Sequence, residues 1–402
     1  MEITLQFLTP AFLYGTDRTR PEFRIPSLIG QMRYWWRMTQ EWPENGNFKE
    51  FKEKEGGIFG IAGDDKSSAK PFFMYLKKKP DIKTHNPPSL LTKKDGTPQT
   101  DRATGEYLYE FPSKGNGVSY FFYPFKRHPG NFKWIPEDSQ VKMEMECKPG
   151  TDNIPVLLSI FLLSRFGGLG GRSRRGAGAF ELSGHPIFNL TENDLEKYIR
   201  SDQKETMPGH EFFSRIDSNS PLWQALSNKS RWKNTPQNGK DWSSALNPVG
   251  ASMQNFRTRF RLLEGNDQGV DPDFVKEAKA LHQYYGNRQQ NQLPGHLTKD
   301  AFGLPRITNF SSGGFIPNAV SIAPYKNGED KEGRRASPLH ITVNRRGDNQ
   351  YYCTLLILWD GLKFLPTNIP IRVKRSGNRN VNTYPVMQNP PVDKLEAFLK
   401  RI

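Results

Sequence analysis

Six glycines and three arginines crowd into twelve residues, Gly167-Gly168-Leu169-Gly170-Gly171-Arg172-Ser173-Arg174-Arg175-Gly176-Ala177-Gly178, directly after the apolar run Val156–Phe166. Glycine tolerates positive φ and lets a backbone lie close against whatever faces it. Arginine supplies a planar, multi-donor cation suited to phosphate oxygens. Two readings follow. The segment is a glycine helix C-cap leading into a solvated basic hairpin, or it is an N–H-rich loop whose three guanidiniums suit a polyanion backbone. The remainder of the chain favours the second.

With 402 residues the chain has room for two or three domains with substantial cores. Only 35% of residues are apolar, and 31 prolines and 35 glycines accompany them, which fits compact units separated by long polar excursions. The run Val156–Phe166 is too short to span a bilayer. Met1-Glu-Ile-Thr-Leu5 has neither a basic n-region nor a cleavage site, so export is not expected. Cys147 and Cys353 are far apart and form no metal-spaced pair, which fits a reduced, cytoplasmic setting. A net charge of +15 points to a polyanionic partner, nucleic acid before membrane, because no amphipathic basic helix stands out.

Residues 2–8 alternate as a half-buried strand, ended by Thr9-Pro10. A helix is predicted to open at Ser27 as N-cap, with Leu28, Ile29, Met32, Trp35 and Trp36 on one face and Arg33 and Arg37, one turn apart, on a neighbouring one. Segments 71–76, 118–123 and 141–146 read as strands; 77–105, with two lysine runs, reads as a basic loop or extended finger. Asn153-Ile154-Pro155 starts a second helix, and Ala179–Leu182 resumes as a strand. That order is β-α-β-β-α-β, a ferredoxin-like unit. Residues 191–245 are polar and predicted to be a helical linker or insertion. A second, degenerate ferredoxin-like domain is predicted over 246–402, with a strand at 252–262, a helix at 271–285 and clear strands at 339–343 and 351–359.

Several chemistries find no support. A P-loop needs Lys and Ser or Thr after its last glycine, between a strand and the next helix; here Ala177-Gly178 follows Gly176, and a helix precedes. The seven histidines (His85, His128, His185, His210, His282, His296, His340) show no metal-ligand spacing, and Gly63-Asp64-Asp65 suits a turn. A metal-free ribonuclease would draw on His85 or His128 as acid or base.

Two segments together resemble a known family. Ile25-Pro26-Ser27-Leu28-Ile29-Gly30-Gln31-Met32-Arg33-Tyr34-Trp35-Trp36-Arg37 is similar to the P-S-x-x-G-x-x-R-x-W-W-R segment of the first-subunit family of the Cmr complex, the type III-B CRISPR effector. That family belongs to the RAMP superfamily. Leu8–Phe12 with Tyr14-Gly15, and Pro21–Arg24, are similar as well. Gly167–Gly178 resembles the glycine-rich loop of the superfamily, and Phe302–Pro305 and Arg334–Leu339 resemble the C-terminal signatures. The insertions between them carry no part of the resemblance.

The resemblance implies an α+β chain of two tandem ferredoxin-like (RRM-like) RAMP domains with long insertions: 1–190 with the glycine-rich loop, 191–245 as insertion, and 246–402. It implies assembly beside other RAMP subunits, contact with the 3′ region of crRNA and with target RNA, no cofactor, and no catalysis by this chain. An alternative is a metal-independent RAMP endoribonuclease that processes CRISPR precursor RNA. The position before Gly30 is often Lys in the family but is Ile29 here, which shifts weight to Ser27, Arg33 and the helix N-terminus. The expected RNA-binding residues are Gly168, Gly170, Gly171, Arg172, Ser173, Arg174 and Arg175 in the loop, Ser27, Arg33 and Arg37 with Arg24 nearby, and, from the second domain, Arg306, Arg334, Arg335, Lys374 and Arg375. No membrane and no small-molecule substrate is expected.

Overall fold

A computed structural model describes residues 1–17, 20–43, 48–61, 69–78, 92–93, 95–100, 107, 116–122, 134–237, 239–258, 272–274, 276–277, 302, 306–309, 319–324, 337–347, 349–358, 371–375, 381–384 and 392–402. The chain forms two compact units: Met1–Gly250 with His340–Asp360, and Ala251–Leu339 with Gly361–Ile402.

The first unit begins with β1 (Glu2–Phe7), α1 (Ile25–Met38), α2 (Lys49–Phe59), β2 (Phe72–Leu76), α3 (Asn116–Phe121), β3 (Gln140–Cys147), α4 (Ile154–Phe166) and β4 (Phe180–Ser183). Ile3, Leu5 and Phe7 of β1, and Val141, Met143 and Met145 of β3, turn to the core, as the period of two demands. The strands pair antiparallel in the order β2-β3-β1-β4, with Leu5 opposite Val141 on one side and Leu182 on the other. With α1 following β1 and α4 between β3 and β4, the frame is the interleaved ferredoxin-like order.

α4 is apolar nearly all round, and Val156 to Phe166 are buried except Arg165. Such a helix must be covered on several sides. Trp35 of α1 meets Phe166 at 6.0 Å between ring centres. On another side Phe161 meets Phe213 at 5.8 Å.

Phe213 belongs to the segment expected as a linker or insertion, which folds as α5 (Glu192–Arg200), α6 (His210–Phe213), α7 (Pro221–Ser227) and β5 (Trp232–Asn234). Thr191 and Asp194 close a capping box at the start of α5, and Leu195, Tyr198 and Ile199 below it join the main core. The boundaries expected after residues 190 and 245 therefore fall inside the first unit.

Two predicted strands are helices. Residues 118–121 lie in α3, where Val118, Phe121 and Phe122 are buried at helical spacing. The side-chain oxygen of Asn247 accepts from the backbone N–H groups of Gly117 (2.8 Å) and Val118 (3.4 Å) at its start. Residues 252–258 end α8 (Trp242–Thr258), because Leu246, Val249, Met253 and Phe256 are buried with a helical period that begins upstream. Tertiary burial at helical spacing overrides the strand reading of both runs, including the aromatic-rich Val118–Phe122. α1 is also longer than predicted: Arg24, extended at φ −127°, is its N-cap, and Ser27 lies within the first turn.

Beyond α8 follow β6 (Arg306–Asn309), β7 (Ala319–Pro324), β8 (Leu339–Arg346), β9 (Gln350–Ile357), β10 (Ile371–Arg375), β11 (Val381–Tyr384) and α9 (Val392–Arg401). In the second unit the antiparallel order is β11-β10-β7-β6. That meander differs from the interleaved order expected for a second ferredoxin-like domain. Phe256, Phe274, Phe302 and Phe398 form an aromatic cluster within it. β8 and β9 instead complete a three-stranded sheet, β5-β9-β8, and Leu356 joins the first unit's core. Among the described residues no helix is long and apolar enough to cross a membrane.

Candidate nucleic-acid interface

The glycine–arginine loop leaves α4 at Gly167, whose N–H still donates to the Leu163 carbonyl at 3.0 Å. It then lies along the chain just past β1. Gly171 N–H donates to the Phe12 carbonyl (2.9 Å), Gly178 N–H to that of Pro10 (2.9 Å), and Leu169 N–H to that of Gly178 (2.9 Å). The Thr9 hydroxyl accepts from Ala179 N–H at 2.9 Å. Backbone therefore packs on backbone, and a side chain has no room. A Cβ at Gly168 would stand 2.7 Å from the Ala177 carbonyl oxygen; at Gly170, where φ is +89°, it would stand 2.5 Å from that of Phe12.

The glycines differ in exposure. Gly168 and Gly178 are buried in the close approach, while Gly170 and Gly171 share in it and also reach the surface beside exposed Arg172. Arg172 turns the chain with a left-handed φ of 62°, an uncommon conformation outside glycine, and a short 3₁₀ turn, Ser173–Arg175, follows.

The three arginines point differently. Arg175 is only 8% exposed, and its guanidinium donates to the Arg174 carbonyl at 3.0 Å. Half-buried Arg174 lies over the ring of Tyr34 in α1, 5.2 Å from its centre. Tyr34 in turn stacks on His340 of β8 (5.8 Å, 25° between planes), and its hydroxyl shares a 3.1 Å hydrogen bond with Nε2. Trp35 meets the same imidazole edge-on at 5.3 Å. Burial, with the nearby Arg174 and Arg175 charges adding to it, holds the His340 imidazole well below its ordinary pKa, so it is neutral.

β8 also fixes the loop's root. The Thr342 hydroxyl donates to the Gly167 carbonyl (3.0 Å), and the Asn344 side chain donates to that of Arg165 (3.0 Å), satisfying carbonyls that α4 leaves open. Tyr34 and His340 were not among the expected site residues. Their available signals were position alone: Tyr34 sits between Arg33 and Trp35, and His340 directly follows the Arg334–Leu339 signature.

The other expected residues stand elsewhere. Arg33 and Arg37 turn to buried Glu55 of α2. Arg37 donates to it through Nε and Nη2 (2.6 and 2.8 Å), and Arg33 through Nη1 (3.2 Å). Arg33 also donates to the carbonyls of Phe59 and Gly60, at 2.7 and 2.6 Å. Arg24 and Ser27 are exposed at the start of α1, with Arg24 3.9 Å from the Glu22 carboxylate. Arg306 lies in β6 and Lys374 and Arg375 in β10 of the second unit. Arg334 and Arg335, like His85 and His128, lie outside the described residues. Among the described residues no cluster of His, Cys, Asp and Glu could hold a metal ion.

On the open sheet face the exposed aromatics, Phe73 and Tyr75, lie on edge strand β2, opposite Glu146 and Glu144 of β3. RRM-type readout sets aromatics on the central strands. The outward positions of β1 are Glu2, Thr4 and Gln6, and those of β3 are Gln140, Lys142, Glu144 and Glu146. These two central strands thus present polar side chains with a net negative charge and no aromatic, which disfavours a phosphate backbone there.

An interleaved sheet backed by α1 and α4, with an arginine loop pinned beside β1, defines a βαββαβ domain with its basic loop at one end. Residues 4–181 match the model of the RAMP superfamily. Among solved structures the whole chain is similar to the apo form of Cmr1 from Pyrococcus furiosus: 16% identity, 91% of this chain and 89% of that one, TM-score 0.48. It is similar also to a chain of type III-B Cmr-beta bound to cognate target RNA and AMPPnP in the presence of ssDNA, with 11% identity, 100% and 98% coverage and a TM-score of 0.47. A third similarity is to Cmr-beta bound to cognate target RNA (10% identity, 100% and 98% coverage, TM-score 0.45). No curated protein matches the chain.

Proposed function

We propose that this chain is a non-catalytic, RNA-binding structural subunit of a type III-B CRISPR (Cmr) ribonucleoprotein, acting beside other RAMP subunits in the cytoplasm. It would contact the 3′ region of crRNA and the target RNA. The observation that carries the reading is the loop: exposed Gly170, Gly171 and Arg172, with Arg174 beside them, held on a backbone already paired to residues 9–12. A loop whose backbone is already fixed, and which carries guanidiniums beside exposed glycines, suits phosphates whatever the guide sequence. Arg33 and Arg37 contribute less in this reading, because Glu55 engages both. Arg24, Ser27 and the second unit's Arg306, Lys374 and Arg375 remain proposed contacts, and the second unit is read as a diverged RAMP domain.

The test is RNA binding by the purified chain across a salt series, for wild type and Arg172→Ala/Arg174→Ala/Arg175→Ala. Wild type should bind intact RNA with a steep salt dependence, and the triple variant should lose both affinity and slope. Equal binding by the variant would remove the loop from the interface. RNA cut in the presence of chelator would move the assignment to a metal-independent nuclease.

A further inference from the structure

We infer that Tyr34, backed by His340, is a positioning residue for the RNA-binding loop: its ring aims the guanidinium of Arg174, so affinity depends on a side chain that itself touches no RNA. The inference rests on the RNA-binding reading of the loop. Arginine carries a long, rotatable stem, and a guanidinium left to sample many rotamers loses entropy when it meets a phosphate. Here it lies 5.2 Å above a ring, within cation–π range. That ring is itself fixed on three counts. It stacks on His340, shares a hydrogen bond with Nε2, and meets Trp35 at 5.6 Å and 85°.

The charge state of His340 matters to this arrangement. A protonated imidazole would set a third cation beside Arg174 and Arg175; a neutral one lets both guanidiniums stay on the same side of the domain. The imidazole is 3% exposed and comes from β8, whose next inward side chains bond the root of the loop. One strand therefore holds both the base of the loop and the platform under its central arginine. Cation–π contacts at partly exposed sites are modest, so losing the platform should weaken binding about threefold rather than abolish it.

The experiment measures binding of a fluorescein-labelled, mixed-sequence single-stranded RNA to the full chain across a salt series. The variants are Tyr34→Leu, Tyr34→Phe, Arg174→Ala, Arg174→Lys and the Tyr34→Leu/Arg174→Ala pair, each with a thermal melt. Arg174→Ala should lower the salt slope by about 0.7, the value of one phosphate contact on a single strand. Tyr34→Leu should lower slope and affinity in the same sense, the pair should lose no more than Arg174→Ala alone, and Tyr34→Phe should keep the wild-type slope. A merely structural Tyr34 would shift the melt and leave the slope unchanged, which overturns the inference while the RNA-binding reading stands. Arg174→Lys keeps the charge at a half-buried position and leaves the core untouched, so it reports even if Tyr34→Leu does not fold. Lysine keeps the charge without the planar stack, so affinity and slope equal to arginine's overturn the inference. Wild type that binds with no salt dependence overturns the RNA-binding reading and the inference with it.

Discussion

Glu55 holds Arg37 through both carboxylate oxygens, at 2.6 and 2.8 Å, and takes Arg33 on the same carboxylate at 3.2 Å. Glu55 is buried, while both arginines keep one edge toward solvent. Two guanidiniums on one carboxylate tie α2 to a face of α1 that adjoins Tyr34. Removing the carboxylate leaves two adjacent cations with no counter-charge between them. Breaking a fully buried pair is costlier, and solvent at the arginines reduces the penalty. Glu55→Ala should therefore destabilise the first unit by about 2 kcal/mol in urea unfolding. RNA binding at low temperature should change little if these arginines serve α2; a tenfold gain in affinity would instead show that Glu55 masks them from phosphate.

Gly30 gives a second separation of stability from binding. It lies exposed in the first half of α1, and a Cβ there would meet nothing within 4 Å. The fold therefore does not require a glycine at this position, and alanine should stabilise the helix by about 1 kcal/mol. If the proposed RNA backbone passes this face of α1, near Ser27, the added methyl should weaken binding even as the melting temperature rises. A variant both more stable and fully competent in binding would place the RNA away from Gly30.

How far the sequence could be read depends on how local each signal is. The alternation of Ile3, Leu5 and Phe7, the apolar run Val156–Phe166 and the crowding of Gly167–Gly178 each fit in one short window, and the structure places a strand, a helix and a loop there. The engagement of Arg33 and Arg37 was not legible. Their spacing gave a shared face, but the carboxylate that claims them lies 22 and 18 residues on, in another helix. Tyr34 and His340 are 306 positions apart, so nothing in either window could join them. Residues 191–245 look polar in composition, yet a few apolar positions such as Leu195, Phe213 and Leu222 suffice to bury them in the first unit's core. The runs 118–123 and 252–262 read as strands, but over their described residues, 118–122 and 252–258, burial at a period of three to four residues decided otherwise.

The two thiols should differ in reactivity. Cys353 is buried, with its Sγ donating to the Ala245 carbonyl at 3.4 Å, and burial pushes its pKa far up. Cys147, at the end of β3, is half-buried and raised by burial to a lesser degree. Reaction follows the thiolate and its access. At pH 8 a maleimide should modify Cys147 slowly and leave Cys353 until the first unit opens, so intact-mass analysis should show one adduct in native buffer and two in denaturant. Two adducts at native rates would show that β9 opens readily.

His340 should make stability depend on pH in a defined sense. In the unfolded chain its imidazole titrates near 6.5, whereas in the folded unit burial, Arg174 and Arg175 hold its pKa well below that, with the Tyr34 hydroxyl as hydrogen-bond partner. Below pH 6.5 the unfolded chain therefore takes up a proton that the folded chain does not. Stability falls as pH drops through 6.5 toward the folded pKa, with a slope from this one group approaching about 1.4 kcal/mol per pH unit. His185 is also lowered by burial and acts in the same direction, so both histidines need testing. Urea unfolding at pH 7.5, 6.5 and 5.5 should show the decline in wild type, a shallower one in His340→Gln, and a smaller change of slope in His185→Gln. If His340→Gln declines as steeply as wild type, the imidazole is not insulated from protons in the folded unit, and the neutral stack beneath Arg174 does not persist in solution.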